Sequence, residues 1–488
     1  MSLRVYFACA AGFSSGKMDT GIIGPVTVME SFAAKFGIQS ATVHGLTVSS
    51  ILIPAAISSF FAGFLADELG RPTGISIKAL IFEIGAAIEG AAAHLAMFIV
   101  GRCIEGIGEG LYLGTLVVYI CEISPTSIRG TLATGPQLLI TLGLVIGFFT
   151  CYGTARVNSS LSWRTPYIIL VYLSVLFSAA SYLFLVPSPR WLTLHGRREE
   201  VARTWDILGV GQAEREKVEI EQVRQDRIQA QAIQESSDAV IAPQPQIKSM
   251  MHKLLDIFSK DVRARTALAV FLMGMQQLCG IDGVLYYAPL LFEQAGLASA
   301  SATFFASGVS AIVIFVVTIP GLIWADRWGR RQSTICGGIG ICTTMFLIGS
   351  LYAANAVDGS SGAGRWVGII SIYIFAVIFS LSWAVGIKVY ATEIQPQRTR
   401  ASATSLAHGG NWVTNFLVAL VTPILLSKSS VGAYFLFGGR ALITTVVCAI
   451  FMPETRGKSL DEIEEAFKSR SLGSHFAKLV RPFTRLFP

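Results

Sequence analysis

Two ionisable residues stand two apart in the stretch FSSGKMDTGIIGP, Phe13 to Pro25: Lys17 and Asp19. The apolar run around them starts at Val5 and continues to about Met29. More charged residues follow in apolar surroundings: Glu83, Glu89, Arg102, Glu105 and Glu109. Arg102, Glu105 and Glu109 are spaced i, i+3, i+7 and share one helical face. Lys17 and Asp19 do not face each other on a helix, so Lys17 either pairs with an acid elsewhere or snorkels. An ionisable residue at membrane depth is costly and is a candidate for an interior-facing functional site; these acids form a buried charge network, or some of them join proton transfer or bind a cationic group. Gln137, Gln276, Gln277 and Asn411 add uncharged polar groups at the same depth. They suit the hydroxyls of a small ligand, or they bridge helices. Covalent chemistry has no foothold. The histidines, His94 and His408 among them, are scattered, and no nucleophile–base or His/Cys ligand spacing is present. No enzyme activity, cofactor or metal is expected.

The elements that must position these groups are set by the composition. The chain has 488 residues, 52% hydrophobic and 14% charged, with mean hydropathy +0.59. A bilayer crossing needs about 20 apolar residues, and twelve stretches qualify, roughly at 5–29, 45–65, 74–93, 97–120, 130–152, 165–186, 266–290, 304–324, 333–355, 366–391, 402–424 and 433–452. Only helices or closed barrels satisfy their backbone in lipid, so the fold class is all-α integral membrane, with twelve transmembrane helices. "MSLRVYFACA" resembles a signal peptide, but its apolar run is too short before "ACA" and continues past it, so it reads as the first span. The net charge is +7, and its placement says more than its size: Lys and Arg are frequent in 190–265 and in the links holding Arg71, Arg129, Arg327, Arg330, Arg331, Arg398 and Arg400. By the positive-inside rule these segments and both termini are cytoplasmic. The basic balance therefore reflects topology, and no nucleic-acid partner is expected. The eight cysteines lie in or beside spans, so no disulfide framework is expected. Asn158-Ser159-Ser160 is a glycosylation sequon on an outer link.

The chain repeats itself. "EISPTSIR" (Glu122 to Arg129) returns as "EIQPQRTR" (Glu393 to Arg400), and "GFLADELGR" (Gly63 to Arg71) as "IWADRWGRR" (Ile323 to Arg331). Similar motifs in the same order imply two pseudo-symmetric six-helix halves with a site between them, a transporter architecture. The expected division is 1–186 for the first bundle, 187–265 for a cytoplasmic helical linker, 266–452 for the second bundle and 453–488 for a cytoplasmic tail.

These motifs resemble the sugar porter family of the major facilitator superfamily, and in detail its fungal proton-coupled monosaccharide transporters. The pieces are Asp67 to Arg71, "RCIEGIGEG" (Arg102 to Gly110), "EISPTSIRG", "SPRW" after span 6, "QQLCGIDGVLYYAP" (Gln276 to Pro289), "DRWGRR" after span 8 and "PETRG" (Pro453 to Gly457). The resemblance covers almost the whole chain. It implies a major facilitator fold and proton-coupled symport of a hexose, pentose or related polyol by alternating access. The setting is the plasma membrane, with one multi-pass chain expected to act as a monomer in the lipid bilayer.

The resemblance also implies residue roles. Asp19 faces Arg102 as the proton-coupling pair; the alternative is a static pair that only holds helices together. Gln137, Gln276, Gln277, Asp282, Tyr286 and Asn411 fall at sugar-contacting positions. Arg71, Glu122, Arg129, Arg330, Glu393 and Arg400 form the cytoplasmic gate; the alternative is that they only mark topology. Several residues depart from the family pattern. Lys17-Met18 stands where Gly-Tyr is usual, Asp282 where Asn is usual, and Val186 where the family has Glu. The acids at 83, 89, 105 and 109 replace mostly apolar or amide residues. Span 10 lacks the prolines of its bend, and Lys388 holds the place of a sugar-packing tryptophan. Lys388 either pairs with Asp282, which leaves a neutral site for a sugar or polyol, or meets the carboxylate of a sugar acid or quinate-like anion. An uncoupled facilitator is disfavoured by Asp19, and a nutrient sensor by the short tail.

Overall fold

The structure is a computed structural model that describes residues 17–123, 129–194, 196–208, 215, 256–259, 262–297, 300–324, 328–357, 363–396, 399–456 and 462. The described residues are helical, and no strand occurs among them. Nine of the described helical segments are long and apolar enough to cross a membrane. Two further helices, Arg71–Ala91 and Leu95–Ile123, have 21 and 29 residues. They carry Lys78, Glu83 and Glu89, and Arg102, Glu105 and Glu109, all of them buried. The charge of these helices is turned toward protein and not toward lipid, so they can cross a bilayer despite it. The first span of the sequence reading is described from Lys17 and runs as a helix to 27.

Two hydrophobic cores form. One gathers Ile22, Phe32, Phe82, Tyr112 and Trp163, the other Leu272, Phe292, Met345, Phe375 and Trp383. Edge-on aromatic contacts such as Phe32–Trp163, 5.7 Å between centroids, fill the first. Arg71–Ala91 packs between Leu95–Ile123 and Leu161–Phe184, and Arg330–Ala353 packs on Ser430–Phe451. Two contacts join the cores: Arg129–Thr154 lies on Ala300–Trp324, and Arg400–Lys428 lies on Ala41–Ser49 and Leu52–Leu69. Large apolar side chains such as Leu183 and Tyr182 point outward, as expected where lipid is the solvent.

Two spans break where the sequence reading runs them continuously. The seventh stops at Leu278 and restarts at Ile281, with Gly280 between them at φ +92°, a left-handed conformation that glycine adopts without strain. The tenth breaks although its prolines are absent. Helix Ala363–Leu381 ends, Ser382 adopts φ −120°, ψ −70°, and Trp383–Glu393 begins. The Ser382 hydroxyl donates to the Ile378 carbonyl at 2.6 Å, and the Ser382 N–H donates to the same carbonyl at 3.1 Å, so both groups tie the break back to the preceding turn.

Of the linker, Pro189–Leu194 and Arg198–Leu208 are helices with their own small core of Leu192, Val201 and Trp205. Most of 209–255, most of the tail, and the Asp67 and Asp326 side chains lie outside the described residues.

Candidate functional site

Asp19 and Arg102 meet. Arg102 is fully buried, with Nη1 3.2 Å from Asp19 Oδ1 and Nη2 3.3 Å from Asp19 Oδ2. Nη1 also donates to Glu89 Oε2 at 3.4 Å, and Nη2 to the Val48 carbonyl at 3.1 Å. A guanidinium suits this arrangement because its planar fork serves several acceptors at once. The sequence placed Glu89 in a span but gave no means of seeing that it shares Arg102. Its helix and that of Asp19 are far apart in the chain, and only packing joins them.

Lys17 pairs with Glu109, Nζ to Oε1 at 2.7 Å, and its ammonium also lies 5.1 Å from the centre of the Trp412 ring. It does not snorkel: an acid one helix away and an aromatic face from the second half hold it. Trp412 escaped the sequence reading. Its signal was its place beside Asn411, in a helix that already carried a candidate ligand.

The polar residues expected at the substrate site gather at the junction of the halves. Lys388 Nζ donates to Gln137 Oε1 at 3.3 Å, which joins the tenth span to the fifth. No ion pair joins Lys388 to Asp282, and Asp282 Oδ2 is buried without a partner. Gln277 Nε2 donates to Asn411 Oδ1 at 3.1 Å, and Asn411 Nδ2 to the Met273 carbonyl at 2.8 Å. Lys17, Gln137, Gln277, Asp282, Lys388, Asn411 and Trp412 are all half-buried. Gln276 differs: it is buried and donates to the Trp383 carbonyl at 2.7 Å, a bond that pins the break in the tenth span. Trp383 Nε1 in turn donates to the Thr334 carbonyl at 2.9 Å.

At the end of the seventh span Tyr286 and Tyr287 are both buried. Tyr287 Oη donates to the Ala419 carbonyl at 2.6 Å, and His44 stands edge-on to its ring at 5.2 Å. The backbone of Tyr286 lies against Gly24 so closely that a Cβ on Gly24 would overlap the Tyr286 carbonyl. The two halves are thus in direct contact at this end.

Among the residues expected at a gate, Arg330 Nη2 pairs with Glu393 Oε1 at 3.3 Å. Arg400 turns away from Glu393 and donates from Nε and Nη2 to the Gln395 carbonyl at 3.4 and 3.3 Å. Glu393 instead accepts from Thr455 Oγ1 at 2.7 Å. Glu454 accepts from the backbone N–H groups of Arg330 and Arg331 at 2.8 and 3.1 Å, a carboxylate on a helix N-terminus. Arg71 is buried at the start of its helix. The Glu122 and Arg129 side chains lie outside the described residues.

Comparison with known proteins agrees with this architecture. The family model described as "Sugar (and other) transporter" matches residues 5–467. The chain is 28% identical to the high-affinity glucose transporter of Kluyveromyces lactis, over 94% of this chain and 84% of that one. It is 31% identical to the glucose transporter GlcP of Staphylococcus epidermidis, over 88% and 90%. Its fold superposes on the inward open conformation of the xylose transporter XylE from E. coli with a TM-score of 0.74, 23% identity, and coverage of 94% and 98%. A major facilitator fold, apolar spanning helices and a family match over nearly the whole length make the chain a multi-pass membrane transporter of the sugar (and other) transporter family.

Proposed function

We propose that the chain is a proton-coupled symporter of a monosaccharide, a hexose or pentose, or of a related polyol, working by alternating access. One observation carries the reading: a fully buried Arg102 bonded through both Nη atoms to the Asp19 carboxylate, beside a polar group drawn from both halves. In this cycle a proton on Asp19 cancels its attraction for Arg102 and frees the halves to rock about the Gln137, Gln276, Gln277, Asp282, Tyr286, Lys388 and Asn411 site. The named glucose transporters among its relatives support the substrate class. The bundles are 1–186 and 266–452, joined by 187–265, with 453–488 as the tail. Arg71, Glu122, Arg129, Arg330, Glu393 and Arg400 close the cytoplasmic side, where both termini lie, and the membrane is the plasma membrane. Both halves of the site belong to one chain, which supports a monomeric transport unit.

A second reading rests on Lys388, whose ammonium donates to an amide and makes no ion pair among the described residues. A carboxylate on the substrate would supply its counter-ion, which makes a sugar acid or quinate-like anion the alternative cargo.

Uptake by transporter-null cells separates the two. The panel holds radiolabelled hexoses, pentoses, polyols and sugar acids at pH 5 and pH 7.5. Acid-stimulated uptake of a neutral sugar supports the first reading. Uptake confined to a carboxylated compound supports the second and removes the first.

A further inference from the structure

The coupling pair accounts for one carboxylate on Arg102, yet three surround it. One oxygen of each of Asp19, Glu89 and Glu105 lies within 4.8 Å of the others. Gly85 makes this possible, since a Cβ there would overlap the backbone of Glu105. The Arg71–Ala91 helix therefore approaches close enough to bring Glu89 to Glu105. Glu89, Arg102 and Glu105 are each 0% exposed. Among the described residues, five buried polar atoms here have no hydrogen-bond partner: Glu89 Oε1, both oxygens of Glu105, Arg102 Nε, and Tyr167 Oη. Tyr167 is itself fully buried, on the Leu161–Phe184 helix, and lies within electrostatic reach of all four charged groups.

Among the described residues, the further cation whose charge acts on the cluster is Lys17, which reaches Asp19 and is committed to another acid. Cys103, Cys151, Tyr286 and Tyr287 are the remaining titratable neighbours. Lys17 is engaged with Glu109, and Lys78 donates to the Ala62 carbonyl and Thr115 Oγ1. Fully ionised, the cluster would hold three negative charges against one positive charge in a dry interior. Buried charge of that kind is retained only when paired. A metal cation would have to share the space with the guanidinium of Arg102, which repels it. A proton has no such conflict. Placed between Glu89 Oε1 and a Glu105 oxygen, it turns two mutually repelling acceptors into a donor and an acceptor.

We propose that Glu89 and Glu105 form a carboxyl–carboxylate pair that binds a proton of its own, separate from the one carried by Asp19. This rests on the symport reading only for its role in the cycle. The proton resides on Glu105, and Glu89 stays charged as the second counter-ion of Arg102. When Asp19 takes up the transported proton and lets go, Arg102 passes to Glu89 and is never left bare. The proton on Glu105 does not leave during transport, so it adds nothing to the stoichiometry.

The test is infrared difference spectroscopy of the purified full-length protein at pH 7.5, with uptake profiles alongside. A protonated-carboxyl C=O band that shifts in D2O and with 13C-labelled glutamate is expected in wild type and absent in Glu105→Gln. Isotope labelling of wild type keeps the assignment possible should a variant fail to fold. Glu105→Gln mimics the protonated form and is expected to keep the wild-type pH profile of uptake. Glu89→Gln removes the second counter-ion and is expected to move the acid limb to lower pH by about one unit, with substrate counterflow retained. A missing glutamate band, or a band unchanged in Glu105→Gln, overturns the proposal. A shift in Glu105→Gln equal to that in Glu89→Gln does the same. If uptake proves independent of pH in wild type, the symport reading fails, while the infrared band still decides the proton site by itself.

Discussion

Arg102 has two bonded carboxylates, and the energetic consequence is a coupling between them. Asp19→Asn keeps the side-chain shape but removes the charge. Arg102 then retains Glu89 at 3.4 Å and the Val48 carbonyl at 3.1 Å. Asn keeps one acceptor oxygen, so one of the two Asp19–Arg102 charge-assisted hydrogen bonds is lost outright, about 1.5–3 kcal/mol. Glu89→Gln leaves Asp19 in place and has a loss of the same order. In the double variant no bonded carboxylate remains, and a fully buried guanidinium is uncompensated. Its destabilisation should then exceed the sum of the single losses by about 1–3 kcal/mol, the range seen for groups in one network. Detergent-purified protein can be titrated with SDS and followed with a thiol-reactive dye, because Cys151 and Cys279 are fully buried and react only on unfolding. Additive losses would refute the shared-counter-ion reasoning. So would Asp19→Asn alone losing as much as the double variant.

Other expectations follow from the same contacts. Lys17→Met strands Glu109, which is 3% exposed, and should cost about 3 kcal/mol, while Lys17→Met with Glu109→Gln should recover most of it; melting of the three variants compares them. Lys388→Met frees Gln137 Oε1 from its lysine bond, so the KM for a neutral monosaccharide should change by about two- to tenfold, the worth of one hydrogen bond, and measured uptake kinetics check it. Gly24→Leu places a side chain where the Tyr286 carbonyl lies; overpacking of about 1–3 kcal/mol should bias the halves apart at this end by about 5–150-fold. Substrate binding should persist while transport falls, as read by equilibrium binding against uptake.

Much of this was legible in the chain because the bilayer makes some rules absolute. Asp19 and Arg102 stood out since charge in lipid needs a reason, and the repeat of Glu122–Arg129 in Glu393–Arg400 gave the two halves. Partner choice was less legible. Lys17 selects Glu109 among several acids, and Lys388 selects Gln137 over Asp282, because helix rotation and approach decide these distances and neither is encoded in local spacing. The tenth span shows a different limit. Span 10 lacks the prolines of its bend, yet the chain breaks at Ser382, whose hydroxyl and N–H both bond the Ile378 carbonyl while Trp383 and Gln276 hold the ends. Arg400 bonds the Gln395 carbonyl instead of Glu393, and Thr455 and Arg330 share that carboxylate. The motif order identified these residues without giving their pairing.

The most direct measurement is sugar accumulation in proteoliposomes under an imposed inward proton gradient, with wild type beside Asp19→Asn. Wild type is expected to concentrate a neutral monosaccharide above equilibrium, and Asp19→Asn to lose accumulation while still exchanging labelled for unlabelled sugar. Accumulation retained by Asp19→Asn, or wild type that only equilibrates its sugar whatever the gradient, would contradict proton coupling through Asp19 and Arg102.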